Sequence, residues 1–537
     1  VLGDSEFAVR LPAALSAAIC GLFIALFARA TVVGGMTGMT GMTGMTGMTG
    51  MTGVTGMTAK PGEPVTGAPD TTALGWRVAF AAVALFSLLP LFQTTALLMT
   101  IDMPYCACWA AAMYFAWRAL KERSTGAWLA LGAAIGVGFL FKYTILLLIP
   151  GIAAAALFTP RNFSRHALPA ALCGIALALA GLIPPILWNA QHDWATVRHL
   201  LGHLGLQGGD VAPTQGVKGW SYNPRWTLDF LGTQLGLVGP ALLLMLAGLK
   251  AYKPPGTSSP PHLFTSSSVT PAPPHPLTHS RFAALLAAPI LFFYLVVSFL
   301  AEPEGNWAMA GYLSLLAPAA LFLVRGLDDW YARLRAWRAL PTPRPKAGVL
   351  TRRPETFTQV VWHLTLAYGL ISGLGVLRAD LLDRALAAAG ASDNARRIVP
   401  VGRMMGADRQ AAHVARLLEQ LTHEHDAPPF ILAQHYGRAS QLAFYFPGRP
   451  RDLVYCSSAF MGGRKTQYDI WPETNLANLQ TFAGLQGRDA VVIGATQGEW
   501  QAAFESVEPI GSLEGDRKKG RPAFLAHRFK GWPTASP

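Results

Sequence analysis

A handful of polar residues stand at the edges of long apolar stretches, where side chains of their kind are costly unless they serve a purpose. Asp102 lies between the runs Val78–Met99 and Met103–Ala119, each about the length of a bilayer-spanning helix. Lys142 is the single charge between Ala127–Phe141 and Tyr143–Phe158, and Arg10 precedes Leu11–Ala30. Asn189, Gln191, His192 and Asp193 follow Pro184-Pro185. Glu302, Glu304, Asn306 and Trp307 separate Phe282–Leu300 from Ala308–Val324. Cations in such a set hold phosphate, and a carboxylate acts as base or metal ligand, so together they suit a phosphorylated lipid.

Each residue also has a plainer reading. Asp102 has the right place to N-cap the helix that follows, with Pro104 in its first turn. Lys142 suits snorkelling to headgroups, and Arg10 suits a membrane-edge anchor. Asn189–Trp194 reads equally as interfacial loop with Trp188 and Trp194 as belt residues, and Glu302-Pro303-Glu304 as a solvated turn. The functional reading rests on all of them sharing one side of a membrane.

Composition supports the membrane. Of 537 residues 52% are hydrophobic and only 14% charged, against roughly 25% in soluble proteins. The net charge of +13 would suit nucleic acid, but the basic residues lie between apolar runs rather than on one polar face, so no nucleic-acid partner is expected. Five cysteines form neither a disulfide framework nor a CxxC pair.

Ten apolar runs are countable; beyond those named they are Ala167–Leu187, Leu228–Leu249 and Thr358–Leu377. If the loops alternate sides, segments 31–77, 118–126, 159–166, 250–281 and 325–357 hold 18 Lys or Arg. The opposite set, 1–10, 100–102, 142, 188–227 and 301–307, holds 5. The excess marks the cytoplasmic side. It therefore places residue 1, Asp102, Lys142 and the C-terminal tail outside. A transporter would show internal repeats and broken helices with polar residues at mid-membrane, and the apolar runs show neither.

Three segments are expected outside the fold: the Gly-Met-Thr repeat within 31–72, the Pro/Ser/Thr-rich stretch 253–279, and the basic, proline-containing loop 341–354. Residues 1–377 then form a transmembrane domain and 378–537 an extracytoplasmic α/β domain. In the latter, Asp408–His423 has helical spacing. Phe430–Ala433, Leu453–Cys456, Ala490–Ile493 and Ala523–Phe529 read as strands, with helical segments Ala439–Phe446 and Gln497–Phe504 among them.

These stretches resemble bacterial GT-C glycosyltransferases of the dolichyl-phosphate-mannose–protein mannosyltransferase-like group, which includes the aminoarabinose transferases of lipid A. The resemblance is carried by Gly3–Pro12, Thr100–Pro104, Gly138–Thr144, Leu187–Trp194, Glu304–Trp307, Ala443–Arg449 and Gln467–Trp471. It implies a polytopic helical fold of about ten spans with a periplasmic α/β domain, in a bacterial inner membrane. The implied reaction is inverting transfer of a sugar from a polyprenyl-phosphate donor to a lipid, glycan or protein acceptor. Arg10 and Lys142 match positions that meet the donor phosphate, and Asp102 a supporting acidic position. Asn189, His192, Asp193, Glu302, Asn306 and Trp307 become candidate substrate contacts. A divalent metal is the one cofactor left open. The chain begins at Val1, and the family's principal base, in a loop after its first helix, is expected upstream. A non-catalytic glycolipid-binding protein is the alternative, and a transporter or flippase the third reading.

Overall fold

The computed structural model describes residues 5–40, 71–158, 167–203, 208–209, 222–250, 277–339, 354–392, 406–422, 428–450, 452–513 and 522–532. Asp4, most of the Gly-Met-Thr repeat and nearly all of 253–279 and 341–354 lie outside these residues. The chain divides into two compact units. One comprises 1–188 and 221–376, the other 189–220 and 377–537. The stretch 189–220 therefore groups with the tail.

All ten apolar runs are helical. Six helices are long and apolar enough to cross a membrane: Glu6–Val33, Thr71–Leu88, Ala167–Gln191, His279–Val297, Met309–Arg335 and Thr356–Leu377. Two bent pairs raise the number to as many as eight. Pro90–Leu97 and Asp102–Leu120 meet at 119°, and Pro224–Val238 and Ala241–Lys250 at 92°. The expectation of unbroken spans is thus corrected. The run Val78–Met99 ends its first helix at Leu88, because Pro90 lacks an N–H and opens a new helix with Leu89 extended (φ −80°, ψ 123°). Thr125–Phe141 and Tyr143–Leu157 remain separate short helices, broken at Lys142. The first helix continues to Thr40, so the opening of the repeat prolongs it.

The first unit is organised around Asp102–Leu120, whose Tyr105, Trp109 and Trp117 are fully buried. Trp117 lies edge-on to Phe27 and Phe282, at ring-centroid distances of 6.1 and 5.2 Å, tying three helices together. The helix Ala167–Ala180 does the opposite, leaving Leu168, Leu172, Ile175 and Leu179 exposed, as a hydrocarbon-facing surface should. It approaches Thr125–Phe141 so closely that a Cβ on Gly132 would lie 1.9 Å from the Gly174 carbonyl oxygen. Close approach through small residues is how helices associate where lipid removes the usual hydrophobic drive.

The second unit holds a five-stranded sheet of order β2-β1-β3-β5-β4. Its strands are β1 Phe430–Ala433, β2 Val454–Cys456, β3 Ala490–Ile493, β4 Phe504–Ser512 and β5 Pro522–Phe529. The first three are parallel; β5 runs antiparallel to β3 and to β4. Strands buried on both faces read as continuous apolar runs, and β1 and β3 do so. Phe430, Leu432 and Val492 join Phe504, Phe524 and Phe529 on one face. Ile431, Ala433 and Val491 on the other face meet Val414 and Leu418 of the helix Ala407–Thr422. The expected helix Gln497–Phe504 ends at Gln501, and Phe504 opens β4 instead.

Candidate functional site

Asp102, Lys142 and Asn306 come together in the first unit, each at a break in apolar helix. Asp102 is the first residue of Asp102–Leu120, its N–H turned to Thr100 Oγ1 at 3.3 Å. Lys142 is the extended residue (φ −154°, ψ 121°) that closes Thr125–Phe141, its N–H still bonded to the Gly138 carbonyl at 2.9 Å. Asn306 lies in the turn before Met309–Ala339, and its carbonyl accepts from the Met309 N–H at 3.2 Å.

Lys142 Nζ donates to Asp102 Oδ1 at 2.9 Å, and Asn306 Nδ2 to Oδ2 at 2.8 Å. Thr100 Oγ1 adds a longer bond to Oδ2 at 3.3 Å. The carboxylate side chain is 7% exposed and the ammonium 11%. A pair this enclosed belongs with buried ion pairs, where loss of one partner strands the other. Two plainer readings fall here. Asp102 is inside the helix rather than its N-cap, and its oxygens serve Lys142 and Asn306; Lys142 turns inward rather than to headgroups. Lys142 Nζ also lies over the Tyr105 ring, 5.6 Å from its centroid, within cation–π range.

The turn carrying Asn306 is itself held. Gln234 Nε2 donates to the Gly305 carbonyl at 2.9 Å, and Tyr312 Oη donates to Gln234 Oε1 at 3.0 Å. A side chain at Gly305 would run into Thr233 Cγ2, which would have to shift. Trp307 packs on Tyr294 at 5.5 Å. Glu302 is exposed and does not join the cluster. Arg10 pairs with Glu6 at 3.2 Å on the first turn of its helix, both about half exposed.

The remaining candidates belong to the second unit. Asn189 is 5% exposed. Its Oδ1 accepts from the Thr196 N–H at 2.9 Å, so it holds the start of the helix Ala195–His203. Asp193 and Trp194 both take left-handed backbone (φ 53° and 55°), an uncommon pairing for non-glycine residues. The turn is closed by the Trp194 N–H on the Asn189 carbonyl at 2.9 Å. Asp193 is exposed and His192 half-buried. Among the described residues no three of His, Cys, Asp and Glu gather closely enough to hold a metal ion.

Helices long and apolar enough to cross a membrane, with a buried carboxylate–ammonium–amide cluster at three helix ends, define a multi-pass membrane protein. Comparison with known proteins agrees. Residues 72–188, which include Asp102 and Lys142, match the family model described as dolichyl-phosphate-mannose-protein mannosyltransferase. Over 208 residues the chain is 27% identical to the lipid A galacturonosyltransferase RgtD of Rhizobium johnstonii. That alignment spans 38% of this chain and 37% of the relative. The fold is similar, with a TM-score of 0.50 and 14% identity, to the crystal structure of ArnT from Cupriavidus metallidurans bound to undecaprenyl phosphate. The superposition covers 97% of this chain and 84% of the other. The resemblance implied by the motifs holds for the fold and, over residues 72–188, for the sequence signature.

Proposed function

We propose that this chain is a polyprenyl-phosphate-dependent glycosyltransferase acting at the outer face of the bacterial inner membrane, with its tail domain periplasmic. The single observation that carries the reading is the buried Asp102–Lys142–Asn306 cluster, whose Asp102 and Lys142 lie within the segment that matches the mannosyltransferase model. An ammonium has three N–H donors, and only one is spent on Asp102. The other two are available to a phosphate. Asp102 then works as a positioning residue: it orients Lys142, and Asn306 and Thr100 in turn orient it.

In the reaction, an acceptor hydroxyl or amine attacks the anomeric carbon while the bond from that carbon to the phosphate oxygen breaks. The sugar inverts, and the lipid phosphate leaves with the bonding electron pair. The acceptor proton passes to a general base, and Lys142 stabilises the charge on the departing phosphate. Asp102 spends its charge on orienting Lys142, and the base is assigned to another group. Arg10 is a further cation for the donor phosphate. Asn189, His192, Asp193, Glu302 and Trp307 are retained as candidate contacts to substrate. The relative's name makes a lipid acceptor the first to try, with glycan and protein acceptors next.

The test is transfer from a polyprenyl-phosphate sugar by the full chain in nanodiscs. Lys142→Met should lower turnover at least ~100-fold, the loss expected for an electrostatic contact made to the leaving group. Unchanged turnover would refute the site. A transporter would instead move the donor across the bilayer without cleaving it.

A further inference from the structure

One turn of helix offers two different groups to Lys142. Asp102 and Tyr105 are three positions apart in Asp102–Leu120, so their side chains stand on the same face. The Tyr105 N–H donates to the Ile101 carbonyl at 3.2 Å, which holds this first turn in helical register. From that turn Asp102 Oδ1 accepts from Lys142 Nζ at 2.9 Å, while Nζ lies over the Tyr105 ring, 5.6 Å from its centroid. A lysine side chain is long and rotatable, and a single hydrogen bond leaves the ammonium free to pivot about its acceptor. A second contact from the same rigid turn removes that freedom.

The ring is fit for the task because it cannot move. Tyr105 is fully buried, and Trp109, one turn on, stands edge-on to it at 6.0 Å. The Tyr105 hydroxyl lies near Thr144 but makes no hydrogen bond, so the ring is what this residue contributes. At 5.6 Å the contact is between a charge and a ring quadrupole, and it occupies none of the ammonium's N–H donors. A second carboxylate at this place would also anchor the ammonium, but it would take the charge of the group from zero to −1 and repel a phosphate. A ring face anchors without that cost.

We propose that Tyr105 is a positioning residue for the transfer: its ring face and the Asp102 carboxylate together fix the Lys142 ammonium, so that the free N–H donors meet the donor phosphate. The role toward the donor rests on the function argued above; the grip on the ammonium does not. Tyr105→Phe keeps the ring face and serves as the reference. Phenylalanines bearing one, two and three ring fluorines at position 105 then withdraw electrons from that face in steps at nearly constant shape. Affinity of the full chain in nanodiscs for undecaprenyl phosphate should fall at each step, by about 5- to 30-fold in all. In an Asp102→Asn/Lys142→Met background, which lacks the ammonium, the series should be flat. A flat series with Lys142 present would overturn the proposal. An equal decline in both backgrounds would overturn it too, since fluorine would then act through packing alone. Should the trifluoro variant not fold, the first two steps carry the same test. Denaturant midpoints along both series separate this inference from the donor reading. If affinity proves independent of Lys142, the donor reading fails. Midpoints that fall with fluorination only where Lys142 is present would still uphold the grip on the ammonium, and midpoints that do not would overturn it.

Discussion

Replacing Lys142 with Met would leave the Asp102 carboxylate, 7% exposed, with only Asn306 and Thr100 for partners. Replacing Asp102 with Asn would leave the ammonium, 11% exposed, without a counter-charge. Breaking a buried pair from one side costs about 3–5 kcal/mol, because the survivor remains desolvated. Removing both charges together removes that penalty. The double variant Asp102→Asn/Lys142→Met should therefore be more stable than either single variant, with a coupling energy of about 2–3 kcal/mol. An exposed pair at the same 2.9 Å separation would give about 0–1 kcal/mol, so the cycle separates the two regimes. Unfolding in mixed micelles, followed by the fluorescence of the chain's 15 tryptophans, supplies the four stabilities. Additive losses, with coupling below ~0.5 kcal/mol, would refute the claim that these residues form one enclosed unit.

Other outcomes follow from single contacts. Asn306→Ala removes a 2.8 Å bond to an ionised oxygen and should cost about 1.5–3 kcal/mol, while Asn306→Asp, which sets two carboxylates together, should cost more; the same unfolding assay reads both. Thr496 opens the helix Gln497–Gln501 with a capping box closed by Glu499, and Thr496→Ala should lower stability by about 1 kcal/mol. The hydroxyl and N–H of Thr496 hold the Glu499 carboxyl below its ordinary pKa. That contribution is present above the ordinary carboxylate range and lost as pH falls through the lowered value, so the wild-type advantage over Thr496→Ala should shrink in acid. Burial pushes the Cys456 thiol up to about 11, so maleimide at pH 7.5 should label it only after unfolding, as peptide mass mapping would show.

Much of the fold was legible because hydrophobic length is a strong signal. The ten apolar runs all became helix, and four of five strands were visible as short apolar segments. The fifth, β4, was hidden: Glu505, Glu508, Pro509 and Gly511 look like a loop, yet they fit an edge strand with an irregular register between Pro509 and Gly511. The breaks were less legible, since Pro90 sits inside an otherwise uniform run. Asp102, Lys142 and Asn306 were each found as charges or amides at helix ends, but sequence cannot show that they touch across 40 and 204 positions. The plainer readings fit the same letters until the distances were known.

The central claim is that the Lys142 ammonium, oriented by Asp102, holds the phosphate of a polyprenyl-phosphate donor. It is tested most directly by equilibrium binding of undecaprenyl phosphate to the full chain in nanodiscs, wild type against Lys142→Met and Lys142→Arg. Lys142→Met should weaken binding by about 10- to 100-fold, and Lys142→Arg, which keeps the charge but not the geometry, by less. Equal affinity for all three would contradict the account.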